Sequence, residues 1–421
     1  MRALDKVIGY SSIKKELLKI IDVLNNPDKY AELGVGIPKG VMLQGEPGIG
    51  KTLMAISFVE ECNRTSYVIR KNKPDGTFVD YIRDTFEEAA NNEPSIILLD
   101  DIDKFANEDY SHRDAEEYVT VQACIDSVKN KDVFVIATSN DAHQLPESLL
   151  RSGRFDKVFY MDFPKGEDAK KIIEHYLENK KCDKDIDAEE ISRFSSGHSC
   201  ADLETVINEA GLCAVYEGRQ LISQEDLKKA CLRKFYGIDD DEQVSEEMFE
   251  KRVVHEAGHT VVAELKEPGV VNFVSASVKK RGRIGGFVSK KSKESLSMDF
   301  ANEETEILIL LAGKAAIEIV MGDTDVGANS DIGKAFNIAR RLLDNYAAYD
   351  FNSWCHGGET SSKIYDHLDS VTGAEISRYY METKRLLIKN RSFLDAIIEN
   401  LRDKKILSYK DIEKIRSEGG F

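Results

Sequence analysis

Two histidines four residues apart, with a glutamate directly after the first, stand in "VVHEAGHTVVAEL", Val253 to Leu265. On a helix, side chains at i and i+4 stack one above the other, so His255 and His259 share a face. Two imidazoles so placed suit a zinc ion, and Glu256 stands where it can take a proton from a metal-activated water. The chain has only 8 histidines, so this spacing points to metal chemistry rather than to two polar residues on an amphipathic helix. A catalytic zinc takes three protein ligands and keeps a position for water, so a third ligand must come from elsewhere. Asp331 in "NSDIGKAF" is a competent oxygen donor. So are the downstream glutamates Glu294, Glu303, Glu304 and Glu318. Residue chemistry leaves these alternatives open, and Asp331 or Ser330 would serve equally as a helix cap. Gly258 inside the helix costs ~1 kcal/mol relative to alanine; close approach of another segment near the metal would explain it.

A second chemistry lies far upstream. "GEPGIGKT", comprising Gly45, Glu46, Pro47, Gly48, Ile49, Gly50, Lys51 and Thr52, fits the G-x-x-x-x-G-K-[ST] loop between a strand and a helix. Backbone N–H groups of such a loop close around phosphate, Lys51 reaches the terminal phosphates, and the Thr52 hydroxyl helps hold Mg²⁺. "SIILLDDID" ends a buried strand at Asp100, the carboxylate a Mg²⁺ site requires. Asp101 follows, where many such enzymes carry a water-orienting glutamate, and its stem is one methylene shorter. Asp103 reads as a solvated or capping residue. In "IATSNDAHQLPESLLRSGRFDK", Asn140 ends a strand within reach of a γ-phosphate, and Arg151 and Arg154 follow as arginine fingers toward a neighbouring subunit's ATP. That role implies a ring.

The elements that must position these groups follow from apolar patterning. "GVMLQG", "SIILLDD" and "DVFVIATSN" are runs typical of buried parallel strands, alternating with helical stretches such as "FVDYIRDTFEEAANN". Residues 1–165 therefore form an α/β nucleotide-binding domain with a parallel sheet and flanking helices, 166–238 a helical lid, and 244–421 a mostly α-helical domain with the metal motif. The longest apolar stretch, "ILILLAGKAAIEIVM", is interrupted by Lys314 and Glu318 and is short of the ~20 residues of a membrane span. It reads as a buried helix. No signal peptide is visible, and the expected location is cytoplasmic. The 7 cysteines show no C-x-x-C spacing and read as reduced thiols. A net charge of -17 argues against a broad nucleic-acid surface. The basic "VKKRGRIGG" reads as a solvated turn, and "VSKK" after it as an edge strand able to bind a peptide by strand addition.

Taken together, "GIPKGVMLQGEPGIGKT", "SIILLDDID", "LLRSGRFDK", "CADLETVINEA", "HEAGHTVV" and "GANSDIGKAFNIAR" resemble, in order and spacing, the FtsH-type AAA+ metalloproteases over nearly the whole chain. The resemblance implies a RecA-like ATPase domain, a helical lid and a helical zinc peptidase domain assembled as a homohexamer. It implies ATP-driven unfolding, threading and hydrolysis of proteins, with Zn²⁺ and ATP with Mg²⁺ as cofactors; the membrane-spanning helices typical of the family are missing, so no membrane role is carried over and the expected substrates are cytosolic. It assigns Asp331 as third zinc ligand, Glu256 as general base, Asp100 to Mg²⁺, Asn140 as sensor, and Arg151 and Arg154 as trans-acting arginines. The sequence departs from the family at Asp101, at His198 and Cys200 near the adenine, and at Pro74, which replaces the aromatic substrate-gripping residue; Phe78 compensates only if the loop is reshaped. Asp101 and Pro74 keep open an alternative, a peptidase with a weak motor acting on unfolded proteins or peptides. A nucleotide-gated remodelling ATPase is a further alternative.

Overall fold

A computed structural model describes the chain apart from residues 1, 33, 35–37, 72–76, 106–114, 142–144, 146–147, 152, 238–244, 281–282, 292–298, 325–326 and 350–361. The chain divides into two compact units, Met1–Ser192 with Ser196–Ser223, and Arg193–Ser195 with Gln224–Phe421. The division falls inside the span 166–238 read from the sequence as a lid.

The first unit is built on a parallel sheet of five strands, β1 (Gly40–Gln44), β2 (Thr65–Ile69), β3 (Ser95–Leu99), β4 (Val133–Ser139) and β5 (Lys157–Tyr160), in the order β2-β3-β4-β1-β5. Every residue of β1, β3 and β4 is buried, as expected of strands covered on both faces. Their side chains alternate between two cores. Met42, Ile97, Leu99, Val135 and Ala137 pack with α3 (Phe78–Asn91) and α4 (Ala115–Ser127). Val41, Leu43, Ile96, Leu98, Phe134 and Ile136 pack with α1 (Ser11–Asn25) and α2 (Lys51–Cys62). The two-residue period of a strand thus feeds both helical layers. Two further helices of this unit are α5 (Gly166–Leu177) and α6 (Cys200–Tyr216), and a Ser199–Asp202 capping box starts α6. Strand order puts the ends of β3, β4 and β1 side by side, the edge where open α/β sheets bind ligands.

The second unit is mostly helical. α7 (Glu246–Lys266) carries the paired histidines, followed by β6 (Val271–Lys280), β7 (Arg283–Lys290), α8 (Phe300–Met321), α9 (Asn329–Tyr346), α10 (Ser362–Lys389), α11 (Arg391–Lys404), β8 (Ile406–Ser408) and α12 (Tyr409–Gly419). The antiparallel sheet runs β7-β6-β8, leaving β7 at an edge. The apolar stretch expected to be a buried helix is α8, where Ile307 to Ala312 and Ala315 to Ile317 are all buried. Its charged interruptions reach the helix margin: Glu318 accepts from Lys384 at 3.0 Å, and Lys314 lies over the Tyr380 ring. α7 packs on α8 in the same core, which positions the metal motif.

Candidate functional site

In the second unit, α7 places His255 and His259 one turn apart, and the first turn of α9 supplies Asp331. The His255 and His259 Nε2 atoms are 2.9 Å apart, and an Asp331 oxygen lies 3.3 Å from the first and 3.5 Å from the second. Donor atoms held ~2.0–2.1 Å from a tetrahedral zinc stand about 3.3 Å from one another. The three edges bracket that value, so the nitrogen–nitrogen–oxygen donor set fits the ion. The His259 Nδ1–H donates to the Ile309 carbonyl at 2.6 Å, which fixes the ring and turns the Nε2 lone pair toward the other two groups.

α9 begins at an Ala328 N-cap with no side-chain cap, so Asp331 is spent on the imidazoles rather than on the helix end. Burial raises the Asp331 pKa, but the His255 and His259 rings beside it outweigh that and hold the carboxyl well below the usual carboxylate range. The rival ligands are engaged elsewhere: Glu303 accepts from Arg341 at 2.7 Å, Glu304 from the Tyr379 hydroxyl, and Glu318 from Lys384 and the Tyr380 hydroxyl. Glu294 lies outside the described residues. His255, His259 and Asp331 are the one such donor cluster among the described residues.

A cleft of about 600 Å³ opens over these groups, and Glu256 and Gly286 both line it. Glu256 is 7% exposed. A Cβ on Gly286 would lie 2.3 Å from the Glu256 carboxylate, so glycine alone lets the β7 backbone pass over it. The edge strand expected at "VSKK" is part of β7, which starts earlier, at Arg283, so that most of the basic stretch read as a turn is strand; β7 borders this cleft.

In the first unit, the loop Gly45–Gly50 joins β1 to α2, and Lys51 is buried with its Nζ donating to the Gly45 and Glu46 carbonyls at 2.7 and 2.8 Å. Burial lowers the Lys51 pKa, against the opposing pull of Asp101, Asp103, Glu46 and Asp100. Thr52 and Thr138 hydroxyls donate to one Asp100 oxygen at 2.9 and 2.8 Å. Asp101 adopts a left-handed backbone (φ 57), its amide donates to Thr138, and its carboxylate pairs with Lys104 at 2.6 Å. Asp103 is more than a solvated residue: it accepts from the Asn140 amide at 3.0 Å and from its side-chain nitrogen at 3.4 Å. A cleft of about 550 Å³ joins this loop to Asp101, Asn140, Tyr10, His175, Tyr176 and Cys200. Sequence reading missed Tyr10, His175 and Tyr176, which come from segments with no phosphate motif.

The two arginines differ. Arg154 makes a two-pronged pair with Asp126 at 3.0 and 2.7 Å, whereas Arg151 is exposed, with no ion pair to another described residue. Phe78 is buried edge-on against Phe105 (centroids 5.3 Å apart), so it does not replace the aromatic residue absent at Pro74; Pro74 itself lies outside the described residues.

A phosphate-loop site and a two-histidine, one-aspartate site on one chain define a nucleotide-driven zinc peptidase. The model described as ATPase family associated with various cellular activities (AAA) matches residues 41–163, that of the AAA+ lid domain 185–229, and that of Peptidase family M41 243–415. The chain is 30% identical to ATP-dependent zinc metalloprotease FtsH 2 of Symbiobacterium thermophilum, spanning 98% of this chain and 74% of that protein. It is 29% identical to the FtsH metalloproteases of Helicobacter felis (97% and 69%) and Caldicellulosiruptor bescii (97% and 71%). This chain belongs to the FtsH-type AAA+ zinc metalloproteases, ATP-dependent enzymes whose cofactors are Zn²⁺ and ATP with Mg²⁺. Among the described residues no helix is long and apolar enough to cross a membrane.

Proposed function

We propose that this chain assembles as a homohexamer in the cytoplasm and unfolds and cleaves protein substrates, with His255, His259 and Asp331 holding zinc and Glu256 as general base. Nucleic acid is not a partner in this reading, consistent with the net charge of -17. The carrying observation is the meeting of Asp331 with both imidazoles beside Glu256, at the floor of a cleft bordered by an edge strand. When bound, zinc lowers the pKa of a coordinated water to about 7 and polarises the scissile carbonyl.

Substrate backbone adds to the edge of β7, which sets the scissile amide over Glu256. The Glu256 carboxylate takes the proton from the attacking water and passes it to the leaving amine. Its burial keeps bulk water from competing for that proton. In the first unit, Gly45–Thr52 cradles the nucleotide, Asp100 serves Mg²⁺, Asp101 orients water, and Asn140 reads the γ-phosphate from a position set by Asp103.

A weak motor is the second reading, favoured by the Asp101–Lys104 pair, which draws a short carboxylate toward its own helical turn. Cleavage of a folded and an unfolded substrate, each with and without ATP, separates the two. ATP-dependent loss of the folded substrate supports the full reading, and loss of the unfolded one alone supports the weak motor. Glu256→Gln should keep zinc while cleavage falls by about 10²–10⁴-fold; undiminished cleavage removes Glu256 from the mechanism.

A further inference from the structure

We propose that Arg70 is a positioning residue of the nucleotide site, a resident cation that Mg²⁺ must displace from Asp100. The inference rests on the reading of Asp100 as the Mg²⁺-site carboxylate. β2 and β3 pair in parallel with Ile69 opposite Leu99, and the Asp100 amide donates to the Ile69 carbonyl at 2.9 Å. The next residue of each strand therefore stands beside the other by register: Arg70 beside Asp100. One Asp100 oxygen accepts from Thr52 and Thr138, and the other accepts from the Arg70 guanidinium.

The Asp100 side chain is 3% exposed and that of Arg70 51%. A guanidinium stays charged throughout the working pH range, so it cannot release Asp100 by losing a proton. It leaves by moving, and its half-exposed side chain opens onto solvent. Mg²⁺ and a guanidinium on the same buried carboxylate repel each other, because charge there is screened less than in bulk water. Occupancy of Asp100 by Arg70 and by Mg²⁺ is then mutually exclusive. Without Mg²⁺, Arg70 keeps Asp100 neutralised beside the phosphate loop; with Mg²⁺, part of the ion's affinity is lost in displacing Arg70.

The test measures binding rather than turnover, on the whole chain, with a fluorescent non-hydrolysable ATP analogue in EDTA and across a Mg²⁺ titration. Arg70→Gln and Arg70→Ala should lower the Mg²⁺ concentration for half-effect by at least about fivefold, the low end of ordinary coupling between two ligands. Affinity in EDTA should not rise, and Arg70→Lys should stay near the parent. A half-effect concentration that is unchanged or higher in both neutral variants overturns the proposal. Asp100→Asn separates the failures. If it abolishes the Mg²⁺ effect while the Arg70 variants behave as the parent, only the role of Arg70 falls. If it responds to Mg²⁺ as the parent does, the reading of Asp100 falls and the proposal with it.

Discussion

Gly258 rests directly on the carbonyl of Ala312: a Cβ on Gly258 would lie 2.5 Å from that oxygen and 2.7 Å from the Ala316 Cβ. This is the close approach that the glycine inside the metal-binding helix called for. Gly258→Ala should gain ~1 kcal/mol of helix propensity and lose ~1–3 kcal/mol to overpacking. His259 follows Gly258 directly and binds the Ile309 carbonyl of the same facing helix, so a shift at the contact would move its ring. The variant should therefore show reduced zinc affinity as well as no gain in stability. Denaturant unfolding and zinc content check both, and a stabilised variant with normal zinc would show that the contact is slack.

Arg151 and Arg154 should separate in mutation. Arg154 is bound within its own subunit to Asp126, so Arg154→Ala should destabilise the first unit and lower ATPase activity through misplacement of the segment. Exposed Arg151 should be the trans-acting group. Arg151→Ala should leave the melting temperature unchanged and cut ATPase activity by about 10³-fold or more, the low end for an arginine finger. ATPase assay of Arg151→Ala mixed with a Lys51 variant checks the assignment in trans; full activity of Arg151→Ala alone would refute it.

The Arg154 pair also has a pH signature. Hydrogen bonds from Arg154, against the opposing effect of burial and with help from Lys129, hold the Asp126 carboxyl at about 2. An ordinary aspartate titrates near ~3.9. A depressed folded pKa means stability that is present above about 4 and lost as pH falls toward 2. The Asp126 side chain is 38% exposed, so screening keeps the contribution small. The stability difference between the parent and Asp126→Asn should shrink as pH drops from 6 to 3. A difference constant over that range would show that the pair contributes nothing through charge.

Asp101 offers a third comparison. Its carboxylate is drawn to Lys104 at 2.6 Å on a left-handed backbone. Lys104→Ala should free it, and Asp101→Glu should add the missing methylene. Both should raise kcat for ATP by severalfold, because phosphoryl transfer depends on placement of the water. Steady-state ATPase rates decide, and a fall in both variants would show that the short carboxylate and its lysine partner act together.

Much of this was legible in the chain because the decisive signals are local. The loop Gly45–Thr52, the run ending at Asp100 and the pair His255–His259 each depend on spacing within one element, and backbone geometry converts such spacing directly into position. The buried α8 was legible for the same reason. Asp331 was different: from residue chemistry it stood level with Glu303, Glu304 and Glu318, and only the resemblance favoured it. The fold distinguishes them because each glutamate is bound elsewhere, Glu303 by Arg341 and Glu304 by Tyr379. Arg70 on Asp100, Asp103 on Asn140 and Asp126 on Arg154 were invisible. Each joins residues 28 to 37 positions apart through the tertiary fold, which no local pattern encodes. Phe78 was ambiguous for the converse reason, since an aromatic beside a loop can equally begin a core-facing helical stripe, as it does with Ile82 and Phe86.

If His255, His259 and Asp331 hold one catalytic zinc, the metal content per chain depends on each of the three. Purified protein and Glu256→Gln should each carry about one zinc per chain, as a closed set of three ligands requires. Asp331→Ala should lose most of its metal under the same dialysis, while Glu303→Gln keeps it. Full zinc in Asp331→Ala, with Glu303→Gln depleted instead, would show that Glu303 and not Asp331 completes the site.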